Sequence, residues 1–406
     1  MTGADDESGG PLDGVRVVDL SSVVMGPLAT SILADLGADV VKVEPPGGDV
    51  GRHRGTARSD GMSGLALGLH KDKRSVVLDL AGTDGRTALD ALLRDADSVV
   101  MNLRPASRTR MGLDPASLRA AHPRLVVCTA QAFGSDSSRA ERPGYDDTVQ
   151  AASGTADLFR LAGGDPQLVP TILADKVCGL TIAYSLLAAL LHRERTGRGQ
   201  WVDVPMVDTM IGFNLVEHLD GGTFRPPAGE VGWSRVLTAG RGPHRTADGW
   251  ISILPYTHRD WERFLSTTGR RTLLDDPRFA TPAARAANLA ALMSEVSSIL
   301  VTEPTGHWIE HCARHGIAAE RVLRIDDVAD DPYVRERGLV VDADHPSEGP
   351  YRYVTPAPRF SASPPRLRRH APRAGADTRS VLEDLGLPPA MIDRIVATAA
   401  DAEQVV

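Results

Sequence analysis

The sequence predicts an α/β fold. A doubly wound, Rossmann-like large domain is built on a parallel sheet, and a smaller α+β domain follows it. Three observations lead there. Short β-branched runs alternate with helical stretches from residue 15 to residue 205, and a segment rich in Gly, Pro and Arg then covers 220–245. Beyond Trp250 the texture changes to one strand and several helices. The expected organisation is a flexible acidic N-terminus over 1–12, a large domain over 13–220, a linker over 221–245, a small domain over 246–335, and a proline-rich linker with closing helices over 336–406.

Residues 15–20, VRVVDL, predict a buried strand. Pro27 opens a helix with Leu28, Ile32 and Leu36 on one side, and Gly37 ends it. Residues 39–44, DVVKVE, form the next strand and complete a βαβ unit, hence parallel pairing. Strand 75–80, helix 84–94, strand 98–102, helix 115–121 and strand 125–130 continue the alternation. A long helix runs from Asp175 to about Arg195, with Leu180, Tyr184, Leu187 and Leu191 at helical spacing, and TGRGQ (196–200) stops it. WVDVP (201–205) is a short strand, and a helix starts at Met206. The small domain opens with the strand WISILPY from Trp250, followed by helices at 258–268, 283–301 and 304–315. Residues 345–377 read as irregular chain, and helices at 378–386 and 388–400 close the sequence.

Composition excludes several classes. Forty-five Lys and Arg against 53 Asp and Glu give a net charge of −8, which argues against a nucleic-acid partner because phosphate backbones require a basic field. No run of 18 apolar residues occurs, so no membrane span is expected. The start MTGADDESGG lacks the basic and apolar regions of a secretory signal, and Cys128, Cys178 and Cys312 stand far apart in no metal-like spacing. A reduced, cytoplasmic location is the expectation. After the first strand comes SSVVMGPLAT, with one glycine where a dinucleotide fingerprint needs three, which argues against a nicotinamide dehydrogenase. Four of the basic residues are lysines: Lys42, Lys71, Lys73 and Lys176. GC-rich codon usage accounts for the arginine excess, and the retained lysines mark positions to follow.

Several segments occur in a fixed order. They are LDGVRVVDLSSVVMGPLATSILADLGADVVKVEPPGGD (12–49), KDKRSVVLDL (71–80), VVMNLRP (99–105), RMGL (110–113), RPGYDDTVQAASG (142–154), ADKVCGL (174–180) and LLHRERTGRGQWVDVPMVD (190–208). Later come TADGW (246–250), DDPRF (275–279), GIAAERV (316–322) and DDPYVRERG (330–338). Together they resemble the family III CoA-transferases, the group that contains formyl-CoA transferase and the carnitine CoA-transferases. The resemblance runs from residue 12 to about 400 and is densest in the first 210 residues. It implies a large Rossmann-like domain, a small domain, a C-terminal return to the large one, and a homodimer of two interlocked chains.

The resemblance places Asp175 at the family's catalytic aspartate. Read from the residues alone, Asp175 is a helix N-cap. The chemistry suits a carboxylate, which forms an anhydride with the donor acyl group and then a thioester with CoA, so the thioester energy is retained. CoA brings phosphates, and Lys71, Lys73, Arg74, Arg104 and Arg110 supply a basic cluster at strand ends. By resemblance, His70–Lys73, Asn102, Leu103 and Arg110 contact CoA, and Ser22, Val23, Val24 and Met25 lie along its pantetheine arm. Gln131 matches a substrate-side residue of some members. Pro45 stands where some place an adenine-contacting arginine. Gly240 and Gly242 in AGRGP (239–243) fall near the family's mobile glycine loop, whose N–H groups face an oxyanion. The implied substrates are an acyl-CoA and a free carboxylic acid, with coenzyme A as substrate and no permanently bound cofactor.

Two signals carry less. His307, His311 and His315 share one helix face without a completing carboxylate, so they read as a polar face and no metal is expected. Cys178 reads as a packing residue. Two alternatives remain at this point. The first is an α-methylacyl-CoA racemase of the same family, disfavoured because Tyr145 replaces the racemase histidine and Leu254-Pro255-Tyr256 lacks its glutamate. The second is a non-catalytic CoA-binding relative, disfavoured by the presence of Asp175.

Overall fold

The computed structural model describes residues 10–238 and 241–403. The chain forms two compact units. The first takes the residues up to Thr155, then Leu168–Phe213, then those from Tyr333 onward, and the second takes Ala156–Gln167 and Asn214–Pro332.

In chain order the elements to residue 218 are β1 (Arg16–Asp19), α1 (Met25–Asp35), β2 (Asp39–Glu44), α2 (Gly64–Leu69), β3 (Lys73–Val77), α3 (Thr83–Asp95), β4 (Ser98–Met101), α4 (Pro105–Met111), α5 (Pro115–Ala121), β5 (Val126–Gln131), α6 (Asp146–Ala152), α7 (Leu158–Leu161), α8 (Leu173–Thr196), β6 (Trp201–Pro205) and α9 (Met206–His218). The six strands make one sheet in the order β3-β2-β1-β4-β5-β6, every pair parallel. Parallel strands are covered on both faces, which is why they read as near-continuous valine runs. One face buries Val17, Val40, Val100 and Val126 against α1, α8 and α9. The other buries Val18, Val41, Val99 and Val127 against α3, α5 and the C-terminal helices. The strand order reverses between β1 and β4, and open α/β sheets bind ligands at the carboxyl ends of such a pair.

Within the sheet and the helices that cover it, two elements depart from the sequence expectation. β3 starts at Lys73 rather than 75 and ends at Val77 rather than 80, because a charged residue, Lys73, is taken into the strand. Of the regular row on α8, Leu180, Tyr184 and Leu191 are 57%, 62% and 52% exposed and Leu187 is partly buried against the core, which Ala174, Cys178, Ile182 and Leu186 fill. Among the described residues α8 is long and apolar enough to cross a membrane by length and composition, but its small-residue face is spent on the sheet.

The second unit holds α10 (Ser234–Leu237), β7 (His244–Arg245), β8 (Trp250–Leu254), α11 (His258–Thr267), α12 (Pro282–Ala287), α13 (Leu289–Leu300), α14 (Thr305–His315) and β9 (Ala318–Arg321). Its strands pair antiparallel in the order β7-β8-β9, and Phe264, Phe279, Leu292 and Trp308 centre its core. The helix expected over 283–301 is broken at Asn288, whose side chain donates to the Ala284 carbonyl at 2.9 Å.

The chain continues with α15 (Pro332–Glu336), β10 (Val340–His345), β11 (Gly349–Val354), α16 (Thr378–Asp384) and α17 (Pro389–Glu403). β10 and β11 form an antiparallel pair, so part of the stretch expected to be irregular is a strand. The C-terminal segment is tied to the edge strand β3. Asp377 Oδ2 accepts the Ser75 N–H at 2.9 Å and Thr378 Oγ1 accepts the Val77 N–H at 3.0 Å.

Beneath the carboxyl edge of the sheet the first unit encloses charge. Asp19, Lys42, Glu44, Asp49, Arg52 and Lys73 are all buried. Lys73 Nζ reaches Asp19 Oδ2 at 3.1 Å, the Pro27 carbonyl at 2.8 Å and Thr30 Oγ1 at 2.7 Å. Arg52 grips Glu44 with two bonds of 2.6 and 2.7 Å, and Lys42 pairs with Asp49 at 2.9 Å. Burial alone would raise the Asp19 carboxyl, but Lys42 and Lys73 hold it well below the usual range. Burial pulls the Lys73 ammonium down to about 8. Breaking one partner of a buried pair typically costs about 3–5 kcal/mol because the other charge is stranded. Lys73→Met should therefore lower the unfolding free energy by about that amount in urea melts, whereas Arg110→Ala, at an exposed position, should change it by no more than about 0.5 kcal/mol.

Candidate active site

Two turns meet at the switch point. Asn102, the first residue after β4, holds Ser22 from both sides. Its Oδ1 accepts the Ser22 N–H at 3.0 Å and its Nδ2 donates to the Ser22 carbonyl at 2.8 Å, a double role that an amide side chain can fill. Val23 follows with φ of 70°, and its N–H donates to Asp49 Oδ1 at 3.0 Å. Helix α1 then starts at Met25 and packs on α8. Gly179 permits that approach, since a Cβ there would lie 3.0 Å from the Met25 carbonyl oxygen. Asp175 lies one helical turn before Gly179, about 6 Å along the axis. The β1–α1 turn and the first turn of α8 are thus braced against each other.

Asp175 is not the N-cap. Ile172 takes that position without a side-chain bond, and Asp175 sits in the first turn. Its own N–H donates to Asp146 Oδ1 at 3.0 Å, and Gln150 Nε2 holds the other Asp146 oxygen at 2.6 Å. Among the described residues nothing donates a hydrogen bond to the partly buried Asp175 carboxylate. Burial, and then the negative charge of Asp146, push its pKa up to about 6. An unpartnered carboxylate that is still ionised at neutral pH is the form a nucleophile requires.

The candidate residues divide into three groups. Ser22, Val23, Val24, Met25, Asn102 and Leu103 come together at the switch point, with Ser22, Val23, Asn102 and Leu103 partly open. Arg104 and Arg110 are exposed on or beside α4. Arg104 donates to the Glu141 carbonyl at 3.1 Å and Arg110 to Ser107 Oγ at 3.4 Å, and neither is ion-paired among the described residues. The third group is already committed elsewhere. Lys73 is enclosed with Asp19, so no phosphate reaches it in this structure. Lys71 is buried against Asp35, and Arg74 is bound to Asp39 at 2.6 Å. Gln131 is buried at the end of β5, its amide shared between Arg108 at 2.8 Å and Ser135 at 2.5 Å. Gly242 belongs to the second unit with open space where a Cβ would go, and Gly240 lies outside the described residues.

Sequence reasoning missed three contributors. Asp146 stands in the PGYDD segment, where an acidic pair before a helix is a recognisable signal. Arg108 ties the Leu103 carbonyl to Gln131 at 3.1 and 2.8 Å, and Asp49 holds Val23; neither carries a motif. Cys178 is buried and its thiol is pushed up to about 12 by burial and then by Asp175, so it stays protonated. His311 is buried with Nε2 at 3.0 Å from Thr267 Oγ1, and among the described residues no three metal-ligating side chains converge.

Comparison with known proteins agrees with this architecture. The model of CoA-transferase family III matches residues 12–378. A protein of Mycobacterium tuberculosis named "Probable fatty acyl-CoA transferase Rv3272" is 32% identical over 89% of this chain and 96% of its own length. Formyl-CoA:oxalate CoA-transferase of Escherichia coli is 30% identical over 93% of this chain and 96% of its own. The crystal structure of a CAIB/BAIF family protein from Brucella suis superposes with a TM-score of 0.80 at 29% identity, covering 93% of this chain and all of that one. The relatives are named as transferases, which favours transfer over the racemase reading. This chain belongs to the family III CoA-transferases.

Proposed function

We propose that this protein moves coenzyme A from an acyl-CoA donor to a free carboxylic acid, with Asp175 as the covalent nucleophile. The observation that carries the reading is the Asp175 carboxylate itself. It is partly buried, unpartnered and raised to about 6, and it is braced through Gly179 against the turn at the sheet's switch point. In the proposed cycle an Asp175 oxygen attacks the donor thioester carbonyl, CoA leaves as thiolate, and a mixed anhydride of Asp175 with the donor acyl group remains. The thiolate then attacks the aspartyl carbonyl, releases the donor acid as carboxylate and leaves an aspartyl-CoA thioester. The acceptor carboxylate attacks that thioester, and the freed thiolate takes the acceptor acyl group from the new anhydride, which restores Asp175. Each step exchanges acyl groups of similar energy, so no outside energy source is required. Asp146 contributes by destabilising the Asp175 anion, which favours its conversion into neutral acyl forms.

The CoA surface in this reading is the turn Ser22–Met25 with Asn102 and Leu103, and Arg104 and Arg110 meet the phosphates. We further propose a homodimer, supported by the apolar side chains that α8 and the start of α9 leave outside: Leu180, Tyr184, Leu191, Ile211 and Phe213. Unfused apolar patches of that kind mark association surfaces.

Four outcomes are expected. Asp175→Ala should lose transfer while staying folded, and hydroxylamine added with donor acyl-CoA should mark the peptide containing Asp175 in the wild type alone. Because the attacking form is the carboxylate, kcat/KM should rise with pH through about 6 and level off above it, and Asp146→Asn should move that midpoint down. Turnover by Asp175→Ala at the wild-type rate would end this reading. Removing a charge-assisted phosphate bond by Arg110→Ala should raise the KM for acyl-CoA about tenfold and leave the KM for the acceptor acid unchanged, with dephospho-CoA as the comparison donor. Sedimentation at nanomolar concentration should show a dimer, and a single monomeric species would exclude the association proposed for α8.

A further inference from the structure

Val23 is at odds with its backbone. Its φ of 70° lies in the left-handed region, where a β-branched side chain crowds the following carbonyl. The other two non-glycine residues with positive φ among the described residues are Asp72 and Asp220, both aspartates, which tolerate that region. A strained residue persists where its surroundings over-determine it, and such strain collects at ligand sites.

Here the restraint is specific. Asp49 Oδ1 accepts the N–H of Val23 at 3.0 Å and that of Gly51 at 2.8 Å. Asp49 is itself enclosed and fixed. Its N–H donates to Glu44 Oε2 at 2.8 Å and its carboxylate pairs with Lys42 at 2.9 Å. Lys42 also donates to the Ser21 carbonyl, so one ion pair holds the turn at two points. Gly51 packs so closely that a Cβ there would lie 3.0 Å from the Val23 carbonyl oxygen. Asn102 closes the clamp on Ser22 from the carboxyl end of the neighbouring strand β4. A glycine at position 23 would take this φ without strain. The valine therefore presents an apolar branched side chain at the switch point in a conformation that its neighbours impose.

We propose that Asp49 is a positioning residue for acyl-CoA binding: it holds Val23 in the left-handed conformation and so keeps the turn 21–25 in the shape that receives coenzyme A. This rests on the reading of that turn as the CoA surface. Without the hold the turn relaxes, and binding must restore the strain. With glycine at position 23 there is no strain to restore, and the hold becomes dispensable.

The test combines Asp49→Asn, Gly51→Ala and Val23→Gly, with folding followed by circular dichroism and CoA binding by calorimetry. Asp49→Asn should raise the KM for acyl-CoA and the Kd for CoA by about tenfold to a hundredfold, with kcat and the KM for the acceptor acid little changed. Gly51→Ala disturbs the same contact without touching a charge and should act in the same direction, which keeps the test open if Asp49→Asn does not fold. In the Val23→Gly background Asp49→Asn should not raise the KM further. Folded Asp49→Asn or Gly51→Ala protein with wild-type CoA affinity, or an Asp49→Asn effect that simply adds to that of Val23→Gly, would overturn the proposal. A wild-type protein that binds no CoA would instead overturn the reading of the turn, and this proposal with it.

Discussion

Three carboxylates and three cations are enclosed together around the ends of β1 and β2 and the start of β3: Asp19, Glu44 and Asp49 with Lys42, Arg52 and Lys73. None is tolerable alone in that environment, and each is acceptable because another is within bonding distance. The cluster determines more than its own survival. Lys73 reaches the Pro27 carbonyl and Thr30 in the first helix, Lys42 reaches the Ser21 carbonyl, and Asp49 reaches Val23. A change in one pair therefore moves the start of the first helix, and through the Met25–Gly179 contact it moves the base of the helix that carries Asp175. Interior charge here buys little stability; what it fixes is the geometry of one turn.

The lysine count takes on a physical meaning in that light. Lys42, Lys71 and Lys73 are all buried beside carboxylates, while Lys176 is exposed with its Nζ on Thr171. A guanidinium fork needs a planar set of partners, whereas a single ammonium on a thin stem fits between a carboxylate, a hydroxyl and a carbonyl. Arginine replaces lysine easily on a surface and poorly in such a slot. Three of the four lysines in the sequence occupy slots of this kind.

Much of the first unit was legible because buried parallel strands are written as valine runs and because βαβ order leaves few topologies. The departures have separate origins. Periodicity reports apolar residues and is silent on which apolar face wins. On the long helix the large residues Leu180, Tyr184 and Leu191 look like the core, but the sheet accepts the small ones, Ala174, Cys178 and Ala189, because they allow a close approach. The third strand was placed late because Lys73 and Arg74 resemble a loop unless Asp19 is known to lie opposite. The hairpin at 340–354 was hidden by the prolines after it. Of the site, the position of Asp175 was readable through resemblance. Its environment was not, since Asp146 is 29 residues away and only the fold brings its oxygen to the Asp175 N–H.

The tie between Ser75, Val77 and the segment at Asp377–Thr378 spans about three quarters of the chain, with separations of 302 and 301 residues. During synthesis all six strands of the sheet have emerged by Pro205, yet the partners of its edge strand have not been made. Chain elongation at roughly 5–20 residues per second leaves that edge uncovered for on the order of ten seconds or more. Open edge strands template pairing with other chains, and inward-facing charge is one of the devices that prevents it. Lys73 is an inward-facing charge in that strand, present before Asp377 is made to close the edge.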